Sequence, residues 1–66
     1  MNWDQISGNW EKMKGQLRQR WGDLTDDDLA KAEGKREELV GRIQQRYGIK
    51  REQADKEVSD WLNKLH

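Results

Sequence analysis

The stretch Gly8–Gly22, GNWEKMKGQLRQRWG, recurs without gaps as Gly34–Gly48, GKREELVGRIQQRYG. Six of the paired positions are identical, and three more keep apolar character: Met13/Leu39, Leu17/Ile43 and Trp21/Tyr47. Such self-similarity indicates that one supersecondary unit has been duplicated. In each copy the apolar residues are three or four positions apart, the spacing of one buried stripe on a helix. The repeat therefore predicts an all-α chain made of two similar halves.

Outward from the repeat, the apolar spacing predicts four short helices in a single domain, 1–66. The first two expected helices cover about 4–20 and 26–33, the third ends at Tyr47 before Gly48, and the fourth follows Lys50. They pair as two helical hairpins, the first over residues 4–33 and the second over residues 35–65. The chain has no Pro, few β-branched residues and no alternating apolar pattern, which excludes a β-sheet.

The helix ends are predicted from capping residues. Gly22 and Gly48 each follow the last apolar residue of a helix and are expected to adopt the left-handed cap conformation. Thr25 is a good N-cap, and Asp28, three residues later, completes a variant of the capping box. Lys50 occupies the equivalent place before the fourth helix and is a poor cap, so that helix should fray at its start.

The six glycines form two series of period seven, at 8, 15, 22 and at 34, 41, 48. On a helical projection Gly8 and Gly15 lie roughly opposite the apolar stripe of the first helix. Glycine there either permits close backbone packing or leaves a solvated helix face deliberately weak, and we favour the second interpretation. The candidate interaction surface combines these glycines with nearby cations: Gly8, Gly15, Gly41, Lys12, Arg18 and Arg42.

Composition excludes several kinds of site. The chain has no Cys and a single His, His66, so thiolate sites, His-centred triads and multi-His zinc sites are excluded. We therefore predict no catalytic residue, no metal and no cofactor. The four tryptophans have helical spacing and are expected in the core rather than against a ligand. No apolar run approaches the roughly 20 residues of a membrane span, and the first residues do not resemble a signal peptide, which favours a cytoplasmic location.

Charge is separated along the chain, with basic residues on the first and third helices and acidic residues on the other two. One interpretation is a phosphate-facing patch with Trp or Tyr stacking on bases. The other is that acids at helix starts and bases at helix ends complement the helix dipoles. The 13 acidic and 13 basic side chains balance, without the basic excess of a nucleic-acid binder, so we favour the second interpretation.

Ordered motifs across nearly the whole chain resemble the CsbD-like family, including its YjbJ-type bacterial members. They are Gly8-Asn9-Trp10, Lys14-Gly15, Arg20-Trp21-Gly22, Leu24-Thr25-Asp26-Asp27-Asp28-Leu29, Gly34-Lys35-Arg36, Leu39-Val40-Gly41-Arg42-Ile43-Gln44 and Arg46-Tyr47-Gly48. The resemblance implies a small cytosolic protein of the general stress response. It also implies a SAM-domain-like fold with the two hairpins packed crosswise, and no enzymatic activity assigned to the family.

Three functions are then expected, in order. The first is a non-enzymatic stress protein that protects other proteins when water is scarce, as hydrophilins do, because the chain is highly charged and glycine-rich. The second is an interaction module whose glycine-lined face contacts a protein partner or a second copy. The third is weak nucleic-acid binding, which we consider unlikely. We expect a monomer or a weak homodimer, with no membrane or small-molecule partner.

Overall fold

The described part of the chain folds into five α-helices, one more than the four predicted from the apolar spacing. The computed structural model describes residues 2–65. Its helices are α1 (Trp3–Gly8), α2 (Trp10–Arg20), α3 (Asp26–Ala32), α4 (Arg36–Tyr47) and α5 (Arg51–Lys64). Residues 2–65 contain no strand, which confirms the all-α class. His66 lies outside the described residues.

The first predicted helix is broken into two, so the expectation of one continuous helix over 4–20 is wrong. The break lies at Asn9, whose backbone has φ −119° and ψ 35°. Its N–H donates to the carbonyl of Ile6 at 3.2 Å, and its side-chain Nδ2 donates to the carbonyl of Gln5 at 3.1 Å. The asparagine side chain thus makes the bond that its own N–H would make in a continuous helix.

The caps were predicted correctly at three positions and wrongly at one. Thr25 Oγ1 accepts from the N–H of Asp28 at 3.1 Å, and Asp28 Oδ2 accepts from the N–H of Thr25 at 3.1 Å, completing the capping box. Gly48 ends α4 at φ 64°, and Lys50 makes no side-chain capping bond. Gly22 is not a left-handed cap: the C-cap of α2 is Trp21, with φ −123°, and Gly22 does not have a positive φ.

The end of α3 differs slightly from the expected helix end. Helix α3 stops at Ala32, and Glu33 adopts the left-handed conformation with φ 53°. Gly34 follows, also left-handed, with φ 77°. A Cβ at Gly34 would lie 2.8 Å from the Ser7 hydroxyl oxygen, so α1 approaches this turn too closely for a larger residue. The α3–α4 turn therefore depends on Gly34 for both its backbone angle and its packing.

All five helices contribute to one core. Its fully buried members include Ile6 of α1, Leu17 of α2, Leu29 of α3, Ile43 of α4 and Val58 of α5. Helix α4 packs directly against both α3 and α5. The crosswise packing of two hairpins, the SAM-domain likeness and the origin of the fold by internal duplication stay predictions, as does the single domain over 1–66.

Candidate interaction surface

The first part of the candidate surface lies on the outer side of α1 and α2. Gly8, Lys12 and Gly15 are all exposed. Lys12 and Gly15 are three residues apart on α2 and share one side of it, whereas Gly8 is the last residue of α1, before the break at Asn9. A Cβ built at either glycine meets no atom within 4 Å. Lys12 forms no ion pair with the described part of the chain. These positions therefore leave the backbone of the two helices open on their solvent side.

The remaining candidates are Arg18 on α2 and two neighbouring residues of α4, Gly41 and Arg42. Gly41 is exposed on α4, again with nothing within 4 Å of a built Cβ. Arg18 pairs with Asp26 at 2.9 Å, and Arg42 pairs with Asp28 at 3.4 Å. The glycines thus support no close helix contact inside the chain. Of the three predicted cations, Lys12 alone is left without a carboxylate partner among residues 2–65.

The most organised polar group centres on Asp28, which is 1% exposed. The Nε of Arg46 donates to Asp28 Oδ2 at 2.7 Å and its second guanidinium nitrogen to Oδ1 at 3.1 Å. Arg42 adds a third contact at 3.4 Å. Hydrogen bonding from Arg46 holds the pKa of Asp28 well below its usual range, helped by the backbone of Thr25 and opposed by burial. In turn, the hydrogen bonds to the Asp28 carboxylate raise the pKa of Arg46.

Sequence reasoning identified Asp28 as a cap but missed its arginine partners. Arg42 and Arg46 are four residues apart and so lie on one side of α4. That spacing was visible in the sequence, but nothing in the sequence indicated that this side of α4 would face the start of α3. The Asp28 cluster joins the two halves of the chain and uses Arg42, a candidate for the surface, inside the molecule.

Every arginine of the chain lies within 4.0 Å of a carboxylate. The pairs are Arg18–Asp26, Arg20–Glu57, Arg36–Asp55, Arg42–Asp28, Arg46–Asp28 and Arg51–Glu37. Guanidinium groups are frequent phosphate ligands of proteins, and here each of them already lies near a carboxylate of the same chain. The arginines of α2 and α4 therefore form no exposed cationic stripe, and the phosphate-facing interpretation loses its main support.

The tryptophans lie in or against the core, as predicted. Trp21 and Trp61 are buried and pack edge to face, with ring centroids 5.7 Å apart. Trp3 and Trp10 are partly buried against the core, with centroids 6.0 Å apart. Three indole N–H groups have partners inside the chain: Trp3 donates to Gly34 O at 2.8 Å, Trp10 to Leu29 O at 2.9 Å and Trp21 to Glu57 Oε1 at 3.0 Å.

Three other kinds of site are absent from the described part of the chain. No pocket is found on the surface of residues 2–65. Within the same residues, no three acidic, His or Cys side chains are grouped closely enough to hold a metal ion. None of the five helices has the length and apolar character needed to cross a bilayer.

Comparison with known proteins places these features in a family. Residues 4–56 match the model of the CsbD-like family. The chain belongs to the CsbD-like family. A UPF0337 protein of Pectobacterium atrosepticum is 61% identical to it over 61 residues, covering 92% of this chain and 88% of the relative.

Two further relatives give the same picture of the CsbD-like chain. The UPF0337 protein YjbJ of Escherichia coli K12 is 56% identical over 61 residues, covering 92% of this chain and 88% of the relative. A UPF0337 protein of Pseudomonas aeruginosa is 51% identical over 65 residues, covering 98% of this chain and its own full length. The family recognised from the motifs is thereby confirmed.

Proposed function

We propose that this CsbD-like protein is a non-enzymatic stress-response protein of the cytoplasm that protects other proteins when water is scarce. The supporting observation is the density and balance of charge: 39% of the residues are charged, the formal net charge is zero, and each arginine lies within 4.0 Å of a carboxylate. Among the described residues, Tyr47 is the one large hydrophobic side chain classed as exposed, at 39%. Its hydroxyl accepts a hydrogen bond from the N–H of Asp23 at 3.1 Å.

Such a surface, rich in charges of both signs, suits a protein that holds water at its surface as water becomes scarce. Charges of both signs keep water bound, and a balanced net charge avoids strong attraction to nucleic acid or to anionic membranes. The apolar side chains are kept in the core, which limits hydrophobic association. The exposed ion pairs contribute little to stability, so their arrangement is better explained by hydration than by folding. Molecules of this kind can separate labile proteins as water is withdrawn.

The experiment is to dry or freeze a labile enzyme with and without the protein and then measure recovered activity. We expect higher recovery than with an inert globular protein at the same mass concentration, and equal recovery would contradict the proposal. Leu17→Asp is the matched variant, because it places a charge in the core and unfolds the domain with almost no change in composition. Loss of protection in this variant would assign the effect to the folded surface.

An interaction module is the second candidate, favoured by the open side of α2 at Lys12 and Gly15. Helix faces with accessible backbone allow close approach of a partner helix. Pull-downs with the native chain and with Gly15→Leu, which blocks the face without touching the core, test this candidate. Weak nucleic-acid binding has less support, and salt-dependent retention on immobilised duplex or single-stranded DNA would restore it.

A further inference from the structure

Helix α1 is a short element held in a seat made by the rest of the chain. It has six residues, too few for a stable isolated helix. Ile6 is completely buried, and the indole N–H of Trp3 donates to the carbonyl of Gly34 at 2.8 Å. Ser7 lies directly over Gly34. The seat is thus the α3–α4 turn together with the adjoining part of the core.

The connection from α1 to α2 can act as a hinge. Gly8 and Asn9 are exposed, and a Cβ at Gly8 would meet nothing within 4 Å, so the connection is not packed against the rest of the chain. The apolar spacing continues through the break, from Ile6 to Trp10 to Met13. A straight helix across Asn9 would therefore keep one apolar side. To form this straight helix, the N–H of Asn9 must stop donating to the carbonyl of Ile6 and donate to the carbonyl of Gln5 instead.

If α1 and α2 formed one continuous helix through Asn9, α1 would leave its seat in the same molecule. In one continuous helix Trp3 and Trp10 are separated by about 10 Å along the axis, at 1.5 Å per residue. In the bent chain their ring centroids are 6.0 Å apart, and each indole bonds to a carbonyl at the end of α3 or just beyond it. The apolar side of α1, with Trp3 and Ile6, would then project from the molecule and leave its seat empty.

We propose that α1 is an exchange element and that the partner it fits is a second copy of this chain. The seat is complementary to α1 already, because it holds that helix in the monomer. In a two-fold symmetric dimer each α1 would occupy the partner's seat and re-form the bond from Trp3 to Gly34. In dilute solution the monomer is favoured, with α1 in its own seat. At high protein concentration the dimer with exchanged α1 helices is favoured. The proposal does not depend on the protectant function.

The first test changes the hinge and measures the oligomeric state. Asn9→Ala removes the side-chain hydrogen bond to Gln5 and should raise the equilibrium constant for the straight helix about threefold in each chain. Because a dimer contains two such connections, its association constant should rise about tenfold. Sedimentation velocity from about 10 μM to about 1 mM spans the effective concentration of a tethered segment. We expect the dimer dissociation constant to fall about tenfold. The same substitution at exposed Asn63 in α5 is the matched control and should leave it unchanged.

A second test locates the contact between copies. The chain has no cysteine, so Ser7→Cys and Lys35→Cys each introduce one thiol. When the two variants are mixed, a short bismaleimide should join position 7 of one copy to position 35 of the other. A dimer linked elsewhere, or a folded Asn9→Ala variant that stays monomeric throughout, would overturn the proposal. Should Asn9→Ala unfold, as judged by circular dichroism, Gly8→Ala favours the same straight hinge and replaces it.

Discussion

Replacing Gly15 and Gly41 with alanine should stabilise this protein. Both glycines lie inside helices, in α2 and α4, and both are exposed. Neither has a positive φ, and a Cβ at either position meets no atom within 4 Å. Alanine is therefore accommodated without steric strain. The substitution removes the conformational freedom that glycine has in the unfolded chain and supplies a better helix former.

The expected gain is large for so small a domain. Each change from glycine to alanine in an exposed helix interior contributes about 0.5–1 kcal/mol to the free energy of unfolding. The two sites share no neighbour, so their effects should add to about 1–2 kcal/mol. A 66-residue domain has a total stability of roughly 3–10 kcal/mol. At about 4–8 °C per kcal/mol, the double variant should melt about 5–15 °C higher than the native chain.

Thermal and urea unfolding followed by circular dichroism measure this effect directly. Gly48→Ala is the matched control, because Gly48 has φ 64° and a built Cβ there also meets nothing within 4 Å. Alanine in the left-handed conformation costs about 1–2 kcal/mol, so this variant should be less stable than the native chain. A lower melting temperature for the double variant of Gly15 and Gly41 would show that close backbone contact is required at those positions, and would refute the reasoning.

Three other substitutions have defined outcomes. Asp28→Asn should lower the free energy of unfolding at pH 7 by about 2–4 kcal/mol, since Arg46 loses its buried partner. Because the pKa of Asp28 is lower in the folded state, the ionised carboxylate contributes fully to the free energy of unfolding above about pH 4, and this contribution falls at lower pH. In urea unfolding, the difference in stability between variant and native chain should therefore be smaller at about pH 3 than at about pH 7. Glu33→Gly should raise stability by about 0.5–1 kcal/mol in the same assay, since φ 53° is strained for glutamate; a loss would show that the side chain is needed. Trp3→Phe removes the bond to Gly34 O and should speed amide exchange in α1 more than in α4; equal effects on both helices would contradict a local role for this bond.

Local sequence patterns predicted the features that depend on neighbouring residues. Thr25 and Asp28 form the capping box because both partners lie within one turn of each other. Gly48 ends α4 because no residue adopts its backbone angle at lower cost. The apolar spacing also predicted most of the helices and the position of the tryptophans in the core. A helix that buries one side has apolar residues every three to four positions, which is a pattern of neighbouring residues.

The features that sequence reasoning missed depend on distant contacts. The break at Asn9 preserves the apolar spacing, so periodicity alone cannot show it. Helix α2 ends at Arg20 as predicted, but its C-cap is Trp21 and not a left-handed Gly22; the Trp21 indole is buried and bonds to Glu57, 36 residues away. Arg42 was assigned to an outer surface because its partner on α3 is distant in sequence. In each case tertiary packing decided between local alternatives that the sequence left nearly equal.

The repeated arginines show how the two halves are held together. Arg20 and Arg46 occupy aligned positions, and each pairs with an acid of the other half: Arg20 with Glu57 on α5, and Arg46 with Asp28 on α3. Each half thus supplies the acid that pairs with an arginine of the other half. Because α2, α3, α4 and α5 also share one core, we expect them to unfold together. Helix α1 has no arginine or lysine. It is attached through its buried apolar residues and a single indole bond, so it is the element that can leave while the other four helices stay folded.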